Sequence, residues 1–108
     1  MPAITQENSL LYNKLITETS TLSWQELQPF FARGNVLCVA TNVDLIAVAE
    51  ALAEDKKIPI SEWLTRGELH RMDVKDAEDY QARNPQLWAV VVAPWVLVQE
   101  RQHPTALH

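Results

Sequence analysis

The stretch from Leu87 to Arg101, LWAVVVAPWVLVQER, is the most apolar part of this 108-residue chain. Its nearly continuous apolar run ends at Val98 and is too short for a membrane helix, which needs roughly 18–20 such residues. Valine and tryptophan favour β structure. A straight strand from 87 to 100 would reach about 46 Å, whereas a domain of this size has a radius of gyration of about 13 Å. We therefore predict a strand over 87–100 that bends at Pro94.

A second strand is predicted from Asn35 to Ala40, NVLCVA, because this short apolar segment follows a glycine. It is apolar on both faces, which is typical of an interior strand. We expect Trp88–Val92 to pair with Val36–Ala40. A tight hairpin at Pro94 is not expected, because no Asn-Gly or glycine-rich turn is present. Trp95–Glu100 then lacks an obvious partner, and an N-terminal segment, Lys57–Ile60 and a second copy of the chain all remain open.

The start and stop signals between these segments predict about five helices. They run from Gln6 to Thr19, Ser23 to Gly34, Val43 to Asp55, Ser61 to Arg66 and Asp73 to Arg83. Ser23 and Glu26 form a capping box, and Pro29 should either kink its helix or tighten its end. The expected fold class is α+β, with about five helices on a two- or three-stranded sheet. We predict a single domain over 1–101 and a disordered tail over 102–108.

The net charge of −5 argues against nucleic-acid binding, which needs a cationic face. The largest basic cluster is Lys56-Lys57, and the segment 44–72 resembles a helix-turn-helix only superficially. The N-terminal sequence MPAITQENSL lacks the features of a secretory signal. Cys38 is the only cysteine, which suits a reducing compartment. These features predict a cytoplasmic protein that binds neither nucleic acid nor membrane.

Three segments taken together resemble a known family: SWQELQPFFARG, VDLIAVAEALAED and LWAVVVAPWVLVQE, with SEWLTRGEL between the last two. They are similar to small bacterial proteins catalogued as domain of unknown function 2288, over residues 10–101. The resemblance implies a small single bacterial protein. It brings no activity, cofactor or catalytic residue with it.

One polar cluster outside the tail has the residue types for acid–base chemistry or ligand binding. His70 lies near Glu68 and Asp73 in sequence, and these three residues are the candidate ligand-binding site. A cluster of charge is also typical of any exposed loop between helices. Cys38, between Leu37 and Val39, is predicted to be a packed core residue.

Metal and cofactor signatures were not found in the sequence. His103 and His108 lack metal-ligand spacing, and the two glycines, Gly34 and Gly67, cannot form a phosphate-binding loop. We therefore predict no metal, no cofactor and no catalytic residues, and we expect that the protein is not an enzyme.

Two functions remain. The first is a non-catalytic interaction module that forms a homodimer through its C-terminal strand. Trp95, Val96 and Val98 are its candidate interface residues, and Trp63 is an alternative. The second is a small ligand-binding protein or enzyme with a site near His70. A flat apolar face or an open strand edge at Trp95–Glu100 would favour the first, and a deep polar pocket lined by His70 would favour the second.

Overall fold

The structure is a computed structural model that describes residues 19–101. Its helices are α1 (Trp24–Ala32), α2 (Leu45–Ala53), α3 (Lys57–Thr65) and α4 (Val74–Arg83). Its strands are β1 (Ser20–Leu22), β2 (Val36–Val39), β3 (Leu69–Arg71), β4 (Leu87–Val92) and β5 (Trp95–Glu100). The predicted helix from Gln6 and the predicted tail over 102–108 lie outside the described residues, apart from Thr19, which is not helical.

The five strands form one mixed sheet in the order β1-β4-β5-β2-β3. The β2–β5 pair is parallel and the other neighbours are antiparallel. The α+β class is confirmed, but the predicted two- or three-stranded sheet is too small. Within residues 19–101 four helices, rather than about five, pack on it. Both missed strands, β1 and β3, are only three residues long, so they carry little periodic signal.

The predicted single bent strand is wrong, because the chain reverses at Pro94. Val92 pairs with Trp95, and only Ala93 and Pro94, joined by a cis peptide bond, lie between them. A turn with a cis-proline at its third position reverses the chain without a glycine. The prediction that a tight hairpin is improbable considered glycine-based turns alone, and it therefore failed here.

The central strand of the sheet is β5. It pairs with β4 along its full length and with β2 through Val36–Val96 and Cys38–Val98. The prediction that β4 pairs with β2 is therefore wrong. Both edges of β5 are occupied, so it cannot extend a sheet into a second copy of the chain. Val96 and Val98, two of the predicted interface residues, are buried within the single chain.

The sheet is covered on both faces. On one face, α1 and α4 pack with Val36, Cys38, Val96 and Val98. On the other face, α2 packs with Leu37, Val39 and Leu97 in a second apolar cluster. Partly buried side chains of α3 pack against this cluster. Alternate residues of a strand face opposite sides, so all four residues of β2 are buried. The prediction of an interior strand at this position is confirmed.

Local capping signals place two helix starts as predicted. In α1 the Ser23 hydroxyl accepts from the Glu26 N–H at 3.2 Å, and the Glu26 carboxylate accepts from the Ser23 N–H at 2.9 Å. In α4 the Asp73 carboxylate accepts from the Asp76 N–H at 2.9 Å, and that of Asp76 accepts from the Asp73 N–H at 3.0 Å. Each capping box satisfies two backbone donors that a helix start otherwise leaves free.

Two prolines lie within helices. Pro59 is the third residue of α3, which begins at Lys57 rather than after the predicted cap Ser61. Proline is tolerated in a first turn, where its missing N–H is not needed. Pro29 lies inside α1, and the last turn of that helix is tightened by bonds from Arg33 N–H to the Phe30 carbonyl and from Gly34 N–H to that of Phe31.

Candidate functional site

A polar cleft opens where β2, β5 and α4 meet. Because β2 and β5 run parallel, their carboxyl ends lie at the same edge of the sheet. In open sheets with parallel strands, this is the edge at which ligands usually bind. The cleft has a volume of about 200 Å³, and its lining includes Cys38, His70, Asp76, Tyr80 and Glu100. We call it the His70 cleft.

Strand pairing brings two of these side chains together. Cys38 is the third residue of β2, and His70 lies directly opposite it on β3. Directly opposed residues of an antiparallel pair project from the same face of a sheet. Cys38 is only 6% exposed, whereas the His70 side chain is 47% exposed. The thiol therefore lies at the floor of the cleft, and the imidazole forms part of its wall.

The third side chain comes from the start of α4. Asp76 belongs to the capping box that Asp73 begins, and this contact fixes its carboxylate close to β3. The same oxygen, Oδ2, lies 2.9 Å from Nε2 of His70. One donor atom each from Cys38, His70 and Asp76 lies within 4.8 Å of both of the others. Sulfur, imidazole nitrogen and carboxylate oxygen thus converge on one point.

The thiol is held in its protonated form. Burial, and next the negative charge of Asp76, raise the pKa of Cys38 to about 12. Burial also raises the pKa of the Tyr80 phenol, which lines the same cleft. A nucleophilic cysteine needs a lowered pKa and a cationic setting. This acidic, buried setting does the opposite, so the constellation does not support cysteine-based nucleophilic catalysis.

The outer wall of the cleft is acidic, and its nearby arginine is already engaged. Arg83 binds Asp79 at 2.8 and 2.5 Å and Glu100 at 3.1 and 2.7 Å. Hydrogen bonding to Asp79, and next to Glu100, raises the pKa of Arg83, and the bond from Arg83 lowers the pKa of Asp79. This planar fork between two carboxylates holds α4 against the end of β5.

The sequence identified one residue of this cleft. His70 lines it, but Glu68 instead accepts a bond from the Asn42 amide at 3.2 Å and pairs with Arg66 at 3.6 Å. Asp73 caps α4 and does not line the cleft. Cys38 is buried as predicted, and its place beside His70 was missed. Asp76 was missed as well, although its position three residues after a capping Asp was a usable signal.

These three donor atoms come together only in the folded chain. Residues 38, 70 and 76 come from β2, β3 and α4, and only the register of β2 against β3 joins them. Metal motifs read from a sequence depend on short, fixed spacings. No such spacing links Cys38 to the other two residues.

The two tryptophans predicted for an interface lie on the opposite face of the sheet. Trp95 lines an apolar groove of about 370 Å³ with Leu52, Ile60 and Leu64. The guanidinium of Arg71 lies 5.2 Å from the centre of the Trp95 ring. We call this the Trp95 groove. Trp63 is partly buried against the core on the same side.

Comparison with known proteins places this fold in a family. The model of the family described as "Protein of unknown function (DUF2288)" matches residues 10–100. The chain belongs to the DUF2288 family. This DUF2288 chain is also similar to PA1075 from Pseudomonas aeruginosa, which has been solved in solution by NMR. The two share 52% sequence identity over 93% of each chain, with a TM-score of 0.78. No protein with a curated description matches the DUF2288 chain.

The sequence predicts that the apolar run ending at Val98 is too short to be a membrane helix. Among residues 19–101 of this DUF2288 chain, no helix is both long enough and apolar enough to cross a bilayer.

Proposed function

We propose that this protein is a small ligand-binding domain whose ligand is a cation held in the His70 cleft. The observation that carries the proposal is the convergence of Cys38, His70 and Asp76 at one end of the sheet. Each of these side chains presents an atom that binds metals or accepts hydrogen bonds from cationic groups. The cleft lies at the carboxyl ends of β2 and β5, where a rigid sheet supports it.

The charge of the cleft favours a cation over an anion. Asp76, Asp79 and Glu100 line it, and the nearby Arg83 is bound to two of these carboxylates. A phosphate or carboxylate ligand would meet this negative charge without a free guanidinium to neutralise it. The raised pKa of Cys38 argues against nucleophilic catalysis, which needs a thiolate.

The test is a titration of ¹⁵N-labelled protein followed by amide NMR shifts. Mg²⁺, Ca²⁺, Zn²⁺ and an aliphatic diamine serve as probes. At least one of these probes should shift the amide signals of Cys38, His70 and Asp76 first. Asp76→Asn should weaken the binding of that probe at least tenfold. Glu62→Gln, which changes an exposed carboxylate on α3, is the control and should leave the titration unchanged. Shifts spread evenly over the acidic surface, or none at all, would contradict the proposal.

A second proposed function, self-association as a homodimer, is supported by the Trp95 groove. Leu64 is 51% exposed at its rim and Ile58, at the start of α3, is 76% exposed. In a two-fold dimer, the exposed Ile58 and Leu64 side chains of each copy can pack into the Trp95 groove of the other. Opposite charges are also present, since Arg71 lines the groove and Glu62 is exposed on α3. We propose a second copy of this chain as the occupant.

Sedimentation at high micromolar concentration tests the dimer. The wild type should sediment as a dimer, and Leu64→Glu should shift it towards monomer. Val74→Glu, which places the same charge at an exposed valine on α4, should have no effect. A monomeric wild type would end the dimer proposal and leave the cleft proposal intact.

We also propose a cytoplasmic location, which the lone thiol of Cys38 supports because reducing compartments keep cysteines unpaired. Cell fractionation with a compartment marker tests this, and recovery in the periplasmic fraction would contradict it.

A further inference from the structure

We propose that Cys38, His70 and Asp76 form a zinc-binding site. This rests on the proposed function above and narrows its cation to a thiophilic divalent metal. The three side chains would supply one sulfur, one nitrogen and one oxygen ligand.

The spacing of the donor atoms suits a tetrahedral ion. Zinc bonds of about 2.0–2.3 Å to nitrogen, oxygen and sulfur place neighbouring ligand atoms roughly 3.3–3.8 Å apart. The three donors here all lie within 4.8 Å of one another, and the closest pair, from His70 and Asp76, is 2.9 Å apart. Binding therefore needs side-chain adjustments of about an ångström or less. The most exposed donor, His70, has room to make them.

The donor set selects among metals. Mg²⁺ and Ca²⁺ prefer shells made of oxygen, whereas thiolate and imidazole favour zinc and other late transition metals. Three protein ligands leave a fourth position for water or another molecule. The adjacent cleft of about 200 Å³ is large enough for that ligand.

Another contact already orients one of the donors. The Asp73 N–H donates to Asp76 Oδ2 at 3.0 Å. Outer contacts of this kind typically change metal affinity by about 10–100-fold. The helix cap that starts α4 thus also orients a ligand.

The binding step balances in charge and protons. The neutral Cys38 thiol gives its proton to solvent as the sulfur–zinc bond forms. Thiolate and carboxylate together then neutralise the two positive charges of the ion, while neutral His70 contributes a lone pair. The Cys38 side chain stays buried, now paired with the metal.

Calorimetry and Co²⁺ spectroscopy on the full-length protein test the site. Zinc should bind with one-to-one stoichiometry and, at about pH 8, release about one proton per ion, as measured in two buffers. Co²⁺ should give a thiolate-to-metal charge-transfer band in the near ultraviolet. Cys38→Ser should abolish that band. His70→Gln should lower the affinity for zinc by more than the roughly 10–100-fold that is typical when an outer contact is lost.

The control is the full-length variant His103→Gln/His108→Gln, which removes the other histidines and should bind zinc like the wild type. His70 is half exposed, so His70→Gln keeps the test valid even if Cys38→Ser fails to fold. Unchanged zinc affinity in His70→Gln would overturn the zinc site. If other cations still shifted the cleft amides, the general cation proposal would survive that result, whereas no binding by any probe would end both.

Discussion

The burial of Val98 against α1 and α4 predicts a large difference between two identical substitutions. Val98 in β5 is 0% exposed and Val91 in β4 is 59% exposed. Val98→Ala removes the equivalent of two buried methylene groups, worth about 1.6 kcal/mol of transfer free energy. The cavity that remains raises the expected loss of unfolding free energy to about 2–3 kcal/mol.

In Val91→Ala the removed groups are already more than half exposed, so less than half of that transfer free energy is lost. Since no closed cavity forms, we expect the unfolding free energy to fall by about 0.6 kcal/mol. Both changes replace valine by alanine in a strand, so their loss of β-propensity largely cancels in the comparison. The difference in unfolding free energy corresponds to a melting temperature lower by about 6–19 °C for Val98→Ala than for Val91→Ala.

Urea unfolding followed by circular dichroism measures both values, with an unchanged dependence on denaturant confirming that the comparison is valid. If Val98 lay on an uncovered face of the sheet, the two variants would lose similar stability. Equal losses would therefore refute the burial of Val98 against α1 and α4.

Four shorter predictions follow from other contacts. Ser23→Ala should lower the unfolding free energy by about 0.5–2 kcal/mol through loss of its cap, and a melt identical to wild type would argue against the capping box. The buried Cys38 thiol should react with an alkylating reagent only on unfolding, so rapid labelling of native protein would contradict its burial. Val96→Lys should yield unfolded protein rather than a folded monomer, because it buries an unpaired charge; a native circular dichroism spectrum would oppose this. The lowered pKa of Asp79 contributes stability above its ordinary value of 3.8 that is lost as the pH falls through the lower folded value. Arg83→Gln should therefore flatten stability below about pH 4, and an unchanged acid titration would show that the pair contributes nothing.

Local signals in the sequence predicted local structure well. The starts of α1 and α4 followed from Ser23 and Asp73, because a capping box involves only residues three apart in the chain. The interior position of β2 followed from its apolar residues on both faces.

Strand order could not be predicted in the same way, because it depends on contacts distant in sequence. The two halves of the 87–100 segment are similarly apolar, so the pattern cannot show which half meets β2. The error at Ala93-Pro94 had a further consequence. Without a hairpin, β5 had no partner within the chain and was assigned to an interface, whereas it pairs with β4 and β2. β3 was missed because only Leu69 of its three residues is buried.

The candidate site was predicted only where its residues are adjacent in the chain. Charged neighbours drew attention to His70, but the same reasoning selected Glu68, whose side chain pairs with Arg66 and Asn42. Cys38 joins His70 only through the register of β2 with β3. A single sequence carries no direct signal of that register.

Zinc K-edge X-ray absorption on the zinc-loaded protein tests the central claim most directly, because it reports the ligand atoms themselves. A Cys38–His70–Asp76 site predicts one sulfur at about 2.3 Å, with the remaining nitrogen and oxygen ligands at about 2.0–2.2 Å. The sulfur shell should disappear in Cys38→Ser and persist in the His103→Gln/His108→Gln control. A wild-type spectrum with nitrogen and oxygen ligands alone would contradict the site.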